Sequence, residues 1–256
     1  MPDVVRSALE SVTGPALCAY ITGGYPSPTV FPELLASVAA AADVIEVGVP
    51  FTDPMADGLT IQEASRKALA AGVTLEWILD TLEVMGDQLQ APYLLMGYYN
   101  PFLAFGLDRL ADRMAAAGVS GVIVPDLPLE ESDPLAAALE GKGMGLVRLV
   151  TPTTPGSRIG ELAAASSGFV YAVTSTGTTG GEAGLGAETF DYLDRVRSAA
   201  EIPVLAGFGV RHRSQVEALT PHADGVVVGS ALLEAIDRGQ DPAVFLDELR
   251  PREVVP

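Results

Sequence analysis

An α/β fold, a single closed (β/α)8 TIM barrel with an extra N-terminal helix, is what this sequence predicts, on three observations. The chain has 256 residues, the size of one such barrel. Short apolar runs recur along it, each followed by a loop containing Gly, Pro or Asp and then by a stretch of Ala, Leu, Glu and Arg with helical spacing. Most of those runs are continuous and not alternating, the pattern of parallel strands buried on both faces. An open doubly wound sheet is the alternative, and eight β-then-α units in one chain favour closure.

Each element follows from its own residues. Asp3–Ser11 suggests a leading helix, and strands are expected near Ala16–Thr22, Val44–Val49, Tyr93–Gly97 and Gly121–Pro125 in the first half. Leu146–Val150, Phe169–Val173, Pro203–Ala206 and Gly225–Val228 complete the set. Between them, helical spacing marks Val30–Ala41, Ile61–Ala71, Leu107–Ala117, Pro134–Glu140, Arg158–Ala165, Phe190–Ala199 and Ala231–Asp237. Leu75–Gln88 adds a second helix after the second strand, and Pro242–Leu249 a closing one. Neither a linker nor a composition shift divides residues 1–256, so one domain is expected. The loosest stretch is Ser175–Ala187, STGTTGGEAGLGA, a plain connection or a mobile lid.

Composition narrows the function. Acidic residues outnumber basic ones 33 to 15, a net charge of −18 that disfavours nucleic acid and anionic membranes. Cys18 stands alone, so no internal disulfide and no multi-cysteine zinc site is possible, which suits a reducing cytoplasm. MPDVVRSALESVTGPA lacks the apolar core of a signal peptide, and no long uncharged apolar run is present, so a cytoplasmic protein is expected. With two histidines, a His-rich metal site is not expected.

Barrel enzymes carry their sites at the C-terminal ends of strands. Glu46 is the only charge in its apolar run, VIEVGVP. Burying a carboxylate is costly unless it is hydrogen-bonded, paired or protonated, so Glu46 is either a structural carboxylate or a general acid/base with a raised pKa. The next loop, PFTDPMADGLTIQ, offers Asp53 and Asp57. Either can cap the following helix, but Thr60 is better placed to do so, which leaves Asp57 freer for chemistry. Asp126, in VIVPDLPLEE, suits a cap or loop anchor as well as catalysis, and Asn100, in GYYNP, an Asx-turn before Pro101. Tyr98 and Tyr171 can pack the core or touch a ligand.

Gly207–Phe208–Gly209 closes the seventh strand and Val228–Gly229–Ser230 the eighth, places where this architecture often cradles phosphate on backbone amides. Arg211 and Arg213 can steer an anion there or form a solvated helix start, and His212 between them is expected to be exposed. The two lysines, Lys67 and Lys142, lie outside the strands, so a Schiff-base aldolase is not expected. What remains is acid–base chemistry by carboxylates on a small phosphorylated molecule.

IEVGVPFTDPMADGLTIQ, GYYNP, PDLPLEE, TPTTP, GTTG, GFGV and VVGSA, in that order, resemble the alpha-subunit family of tryptophan synthase. The likeness runs from YITGGYP at Tyr20 to VGSAL at Val228. Thr52, Leu59 and Thr178 depart from the family pattern without removing a chemical group. The resemblance implies retro-aldol cleavage of indole-3-glycerol phosphate to indole and glyceraldehyde 3-phosphate, in tryptophan biosynthesis, with no organic cofactor or metal. By position it implies Glu46 and Asp57 as catalytic carboxylates and Tyr171 as the active-site tyrosine. It also implies that Tyr20, Ile61, Met96 and Tyr98 line the indole pocket. Gly180, Gly209 and Ser230, with Phe208 and Gly229 beside them, match its phosphate contacts, and Thr179 the threonine of its closing loop. Asp53 falls in the loop that in the family faces a beta subunit, the expected partner in an alpha2-beta2 complex. A stand-alone lyase, another phosphate-binding barrel enzyme and a regulatory module for a beta subunit are the alternatives.

Overall fold

The structure, a computed structural model, describes residues 3–174, 185–207 and 209–251. Eight parallel strands close into a barrel in sequence order: β1 (Ala16–Thr22), β2 (Val44–Gly48), β3 (Tyr93–Met96), β4 (Gly121–Ile123), β5 (Gly145–Val150), β6 (Val170–Val173), β7 (Val204–Gly207) and β8 (Gly225–Val228). β8 pairs with β1 through Cys18 and Val227, which completes the ring and removes the open-sheet alternative. β1, β2, β6, β7 and β8 are buried at every position, as continuous apolar runs require.

The helices wrap this ring. They are α1 (Val4–Ser11), α2 (Phe31–Ala41), α3 (Leu59–Ala70), α4 (Leu75–Met85), α5 (Tyr99–Phe105) and α6 (Leu107–Ala116) in the first half. The second half adds α7 (Asp133–Glu140), α8 (Gly156–Ala164), α9 (Ala187–Ala199), α10 (Arg213–Leu219), α11 (Ser230–Asp237) and α12 (Pro242–Leu249). The main core fills the space between ring and helices with Leu17, Ile21, Phe31, Leu35, Ile45, Ile78, Leu79 and Leu82. α1 is the expected extra N-terminal helix. Asp3 caps it through Arg6 N–H, and the other Asp3 oxygen accepts from Gly168 N–H, while Val5 and Leu9 are buried. At the other end Arg250 donates to both carboxylate oxygens of Asp43, which also accepts from Leu17 N–H; the closing segment is thereby tied to the β1–β2 edge. Among the described residues no helix is long and apolar enough to cross a membrane.

Three details differ from the sequence expectation. Leu75–Gln88 is α4 followed by a 3-10 turn over Gly86–Gln88. GYYNP is not an Asx-turn: Asn100 and Pro101 lie in the first turn of α5, where proline's missing N–H is not needed. Thr60 does not cap α3, which begins one residue earlier behind an extended Gly58.

Candidate active site

Register brings the first functional side chains together. Tyr20 on β1 lies opposite Glu46 on β2, and Glu46 lies opposite Leu94 on β3, so the three share the face that points into the barrel. Leu149 opposite Tyr171, and Tyr171 opposite Leu205, continue that face on the far side. Two glycines make room for the aromatic rings. A Cβ at Gly48 would collide with the Tyr20 hydroxyl, and a Cβ at Gly207 would collide with the Tyr171 ring. Tyr20 also donates to or accepts from Thr22 Oγ1 at 3.2 Å.

Glu46 is 0% exposed. Its Oε1 accepts from Cys18 Sγ at 3.3 Å, and its Oε2 has no hydrogen-bond partner among the described residues. Burial pushes its pKa from 4.5 up to about 8, with the hydrogen bond from the Cys18 thiol pulling the other way. The group is therefore mostly protonated at neutral pH. Burial, with the Glu46 charge second, raises the Cys18 thiol well above its ordinary range, so the sulfur keeps its own proton at neutral pH.

Asp57 lies in the bend between β2 and α3. Its N–H donates to Pro54 O at 3.1 Å, and Gln62 Nε2 donates to its carbonyl at 2.9 Å. The loop is held from above by Tyr98, whose hydroxyl accepts from Ala56 N–H at 2.8 Å and whose ring stacks on Phe51 at 5.1 Å. Burial raises Asp57 from 3.8 to about 6, with a hydrogen bond from Tyr98 pulling the other way. At pH 7 it is mostly a carboxylate. Both carboxylates act on the same tyrosines: burial lifts Tyr20 and Tyr171 well above the usual phenol range, and the charges of Asp57 and Glu46 add to it. Among the described residues no group of three or more His, Cys, Asp or Glu is placed to hold a metal.

Tyr20, Ile61, Met96 and Tyr98 are all buried around this mouth. Gly229 joins them to the strand-eight end: a Cβ there would meet Tyr20 Cβ at 3.4 Å and Ile61 Cδ1 at 3.7 Å. Ser230 opens α11 with Gly229 as its N-cap residue and no side-chain cap, so the N–H groups of the first turn have no intrahelical partner. Gly209 adopts φ +86°, a left-handed conformation that favours glycine. The loop it lies in is pinned by Gln215, which donates to Gly209 O and accepts from the N–H groups of Arg211 and His212. Thr179, Gly180 and Phe208 lie outside the described residues, as does most of the Ser175–Ala187 stretch.

Other expected residues take structural places. Asp126 Oδ1 accepts from Tyr99 N–H at 2.8 Å and so caps α5. Asn100 is exposed, His212 is exposed at the head of α10, and Asp53 is exposed with Thr52 Oγ1 donating to it. Neither arginine after β7 is a free solvated cation. Arg211 forms a two-pronged pair with Glu234 of α11 at 2.6 and 2.9 Å, and Arg213 Nε donates to Arg250 O at 2.7 Å. Glu234 also accepts from Thr60 Oγ1, which ties the start of α3 to α11 and the β7 loop. Sequence reading missed Glu234, Gln215 and the Cys18–Glu46 contact. Only the last left a signal, the chain's one cysteine, two residues before Tyr20 on the same strand.

A sequence profile of the family described as tryptophan synthase alpha chain matches residues 7–251. The tryptophan synthase alpha chain of Nitratidesulfovibrio vulgaris is 48% identical over 243 residues, 94% of each chain. That of Bacillus cereus is 43% identical over 241 residues, 93% of each chain. Among solved structures, Mycobacterium tuberculosis tryptophan synthase superposes with a TM-score of 0.88 at 34% identity, covering 96% of both chains. The tryptophan synthase α2β2 complex of Pyrococcus furiosus, described in terms of mutual activation, superposes with a TM-score of 0.85 at 33% identity, covering 92% of this chain and 98% of that one. With fold, motif order and near-complete coverage in agreement, the chain belongs to the tryptophan synthase alpha chain family, a family of lyases that serves tryptophan biosynthesis.

Proposed function

We propose that the chain cleaves indole-3-glycerol phosphate to indole and glyceraldehyde 3-phosphate by a retro-aldol reaction, with Glu46 and Asp57 as its two catalytic carboxylates. The observation that carries this reading is the split between them: at pH 7 Glu46 holds its proton, near a pKa of about 8, while Asp57 has lost its own, near about 6. Two carboxyls held on opposite sides of neutrality divide into an acid and an anion.

Glu46 donates its proton to indole C3, which turns the ring into a leaving group. The C3–C3′ bond breaks, and its electron pair returns to the indole. The resulting Glu46 carboxylate takes the proton of the 3′-hydroxyl as the aldehyde carbonyl forms. One proton leaves Glu46 and one returns, so the step balances without a cofactor. Protonated C3 makes the ring a cation, and the Asp57 carboxylate stabilises it through the ring N–H. The apolar walls of Tyr20, Ile61, Met96 and Tyr98 take the ring, and Tyr171 packs the floor between Glu46 and Gly207. The phosphate sits on the backbone amides around Gly209, Gly229 and Ser230, with Thr179, Gly180 and Phe208 completing that end.

The partner is a beta subunit in an alpha2-beta2 arrangement, facing Asp53 and its loop. Met55 and Leu59 on that loop are 90% and 72% exposed, large apolar side chains on the segment that carries Asp57. The test is turnover of indole-3-glycerol phosphate by the purified chain, alone and with a matching beta subunit. Formation of indole and glyceraldehyde 3-phosphate, accelerated by the partner, is expected. Absence of cleavage in both conditions overturns the reading, and full speed without the partner overturns the coupling.

A further inference from the structure

The helix layer holds a buried charge that the proposed reaction does not use. Arg148 lies in β5, where its neighbour Leu149 is opposite Tyr171 on the inward face, so Arg148 points the other way, toward α7 and α8. It is 5% exposed. Of the five N–H donors of a guanidinium, this one finds a single partner among the described residues: Nη2 donates to Ser132 Oγ at 2.6 Å, and Nε has none. Among the described residues no carboxylate pairs with it. Burial lowers its hold on the proton, with the more distant charge of Asp133 opposing. An unpaired buried guanidinium is unfavourable, and charged groups are kept in such places only when something answers the charge.

Arg148 lines a cavity of about 310 Å³ between the loop after β4, the end of β5 and α8. Leu127, Leu129 and Leu162 give it apolar walls. Arg158 stands at its edge, but that charge is already met by Glu130 at 2.6 Å and Glu161 at 2.9 Å. Asp126 also borders the cavity, with one oxygen taken by the Tyr99 amide. The free donors therefore belong to Arg148, and the walls beside them are hydrocarbon.

We propose that this cavity is a binding site for a small organic carboxylate with an apolar body, the carboxylate on the Arg148 guanidinium and the body against the leucines. The planar fork of arginine matches a carboxylate in two parallel hydrogen bonds. An inorganic anion would fill the charge and leave the leucine walls unused. None of the residues given a role in the proposed reaction lines this cavity, and the proposal does not depend on that reaction.

The probe is benzoate, titrated calorimetrically into the full chain with indole and glycerol 3-phosphate present at saturating levels, and inorganic phosphate is the comparison. Arg148→Met keeps the bulk of the stem and removes the donors. Leu162→Trp fills the cavity and leaves Arg148 in place, so the test survives if the first variant folds poorly. Benzoate is expected to bind the wild type, and both variants to weaken it by about tenfold or more, the scale of a charged hydrogen bond. Turnover of indole-3-glycerol phosphate is expected to stay at the wild-type level in both. Benzoate binding that is absent, or equal in wild type and both variants, overturns the proposal. Phosphate binding as tight as benzoate and equally dependent on Arg148 overturns the carboxylate assignment.

Discussion

Replacing Glu46 by Gln separates the chemistry of this carboxyl from its effect on the fold. Gln keeps the size and cannot exchange a proton, so cleavage is expected to fall by about 10² or more. The burial that tunes the group also makes stability depend on pH. In the unfolded chain the carboxyl ionises near 4.5, and in the barrel near about 8. Below 4.5 both states hold the proton and the group takes no side. As pH rises from 4.5 to about 8 the unfolded chain releases its proton first, which favours unfolding, and above that range the whole penalty is present. At about 1.4 kcal/mol per pKa unit the penalty is about 3 kcal/mol at pH 7 and about 5 kcal/mol above pH 9. Gln has no such titration. The stability of Glu46→Gln relative to wild type is therefore expected to grow by about 4 kcal/mol between pH 5 and pH 9. The amide also brings N–H donors to a place where Oε2 finds no partner, a constant penalty of about 1–3 kcal/mol, so the slope and not the offset is diagnostic. Urea unfolding of both proteins at pH 5, 7 and 9 measures the slope, and turnover at pH 7 on the same preparations measures the chemistry. Parallel stability curves would refute a buried, protonated Glu46. Near-normal turnover would refute its role as proton shuttle.

The pH profile of kcat/KM is expected to be a bell with limbs near about 6 and about 8, rising as Asp57 ionises and falling as Glu46 loses its proton; a flat profile between pH 5 and 9 counts against the acid and anion assignment. Asp57→Asn is expected to lose about 10² or more in turnover and to lose the acid limb as well; rescue of that variant by a beta subunit would mean that Asp57 only positions its loop. Gly207→Ala is expected to displace the Tyr171 ring, lower stability by about 1–3 kcal/mol and reduce turnover, because a Cβ there has no free space; wild-type unfolding midpoints would contradict the packing described. Bulky substitutions at Gly209 or Ser230 are expected to raise KM for the phosphorylated substrate while leaving inhibition by indole analogues intact, whereas Arg211→Ala, whose guanidinium is held by Glu234, has the smaller effect; the reverse order would assign phosphate capture to side chains.

How legible the fold was follows from where its information is local. Strands buried on both faces declare themselves as continuous apolar runs, so β1 and β8 fall on the residues the sequence suggests, and the remaining strands within two residues of them. α5 was hidden for a specific reason. A residue before proline is disfavoured in a helix, which makes Asn100–Pro101 read as a turn. The helix forms because Pro101 falls in its first turn and because its first amide is capped by Asp126, 27 residues further along the chain. Thr60 fails as a cap for a related reason: its hydroxyl finds Glu234, 174 residues away, and Gly58 takes the extended conformation that starts the helix.

The same division runs through the site. Glu46 was visible because a single charge in an apolar run is improbable without a use, and the structure adds what pattern could not: one oxygen on Cys18, one without a partner, and a raised pKa. Arg148 shows the same pattern, a single charge in an apolar strand, and the sequence alone does not say which face it takes. Residue parity separates the two. Glu46 shares the inward face with Tyr20, and Arg148 is one position out of step with Leu149 and Tyr171. Parity becomes readable only once the register of neighbouring strands is known, since a shift of one residue exchanges inside for outside. A charged residue in a barrel strand faces either the barrel interior or the helix layer, and the pairing of strands distant in sequence decides which.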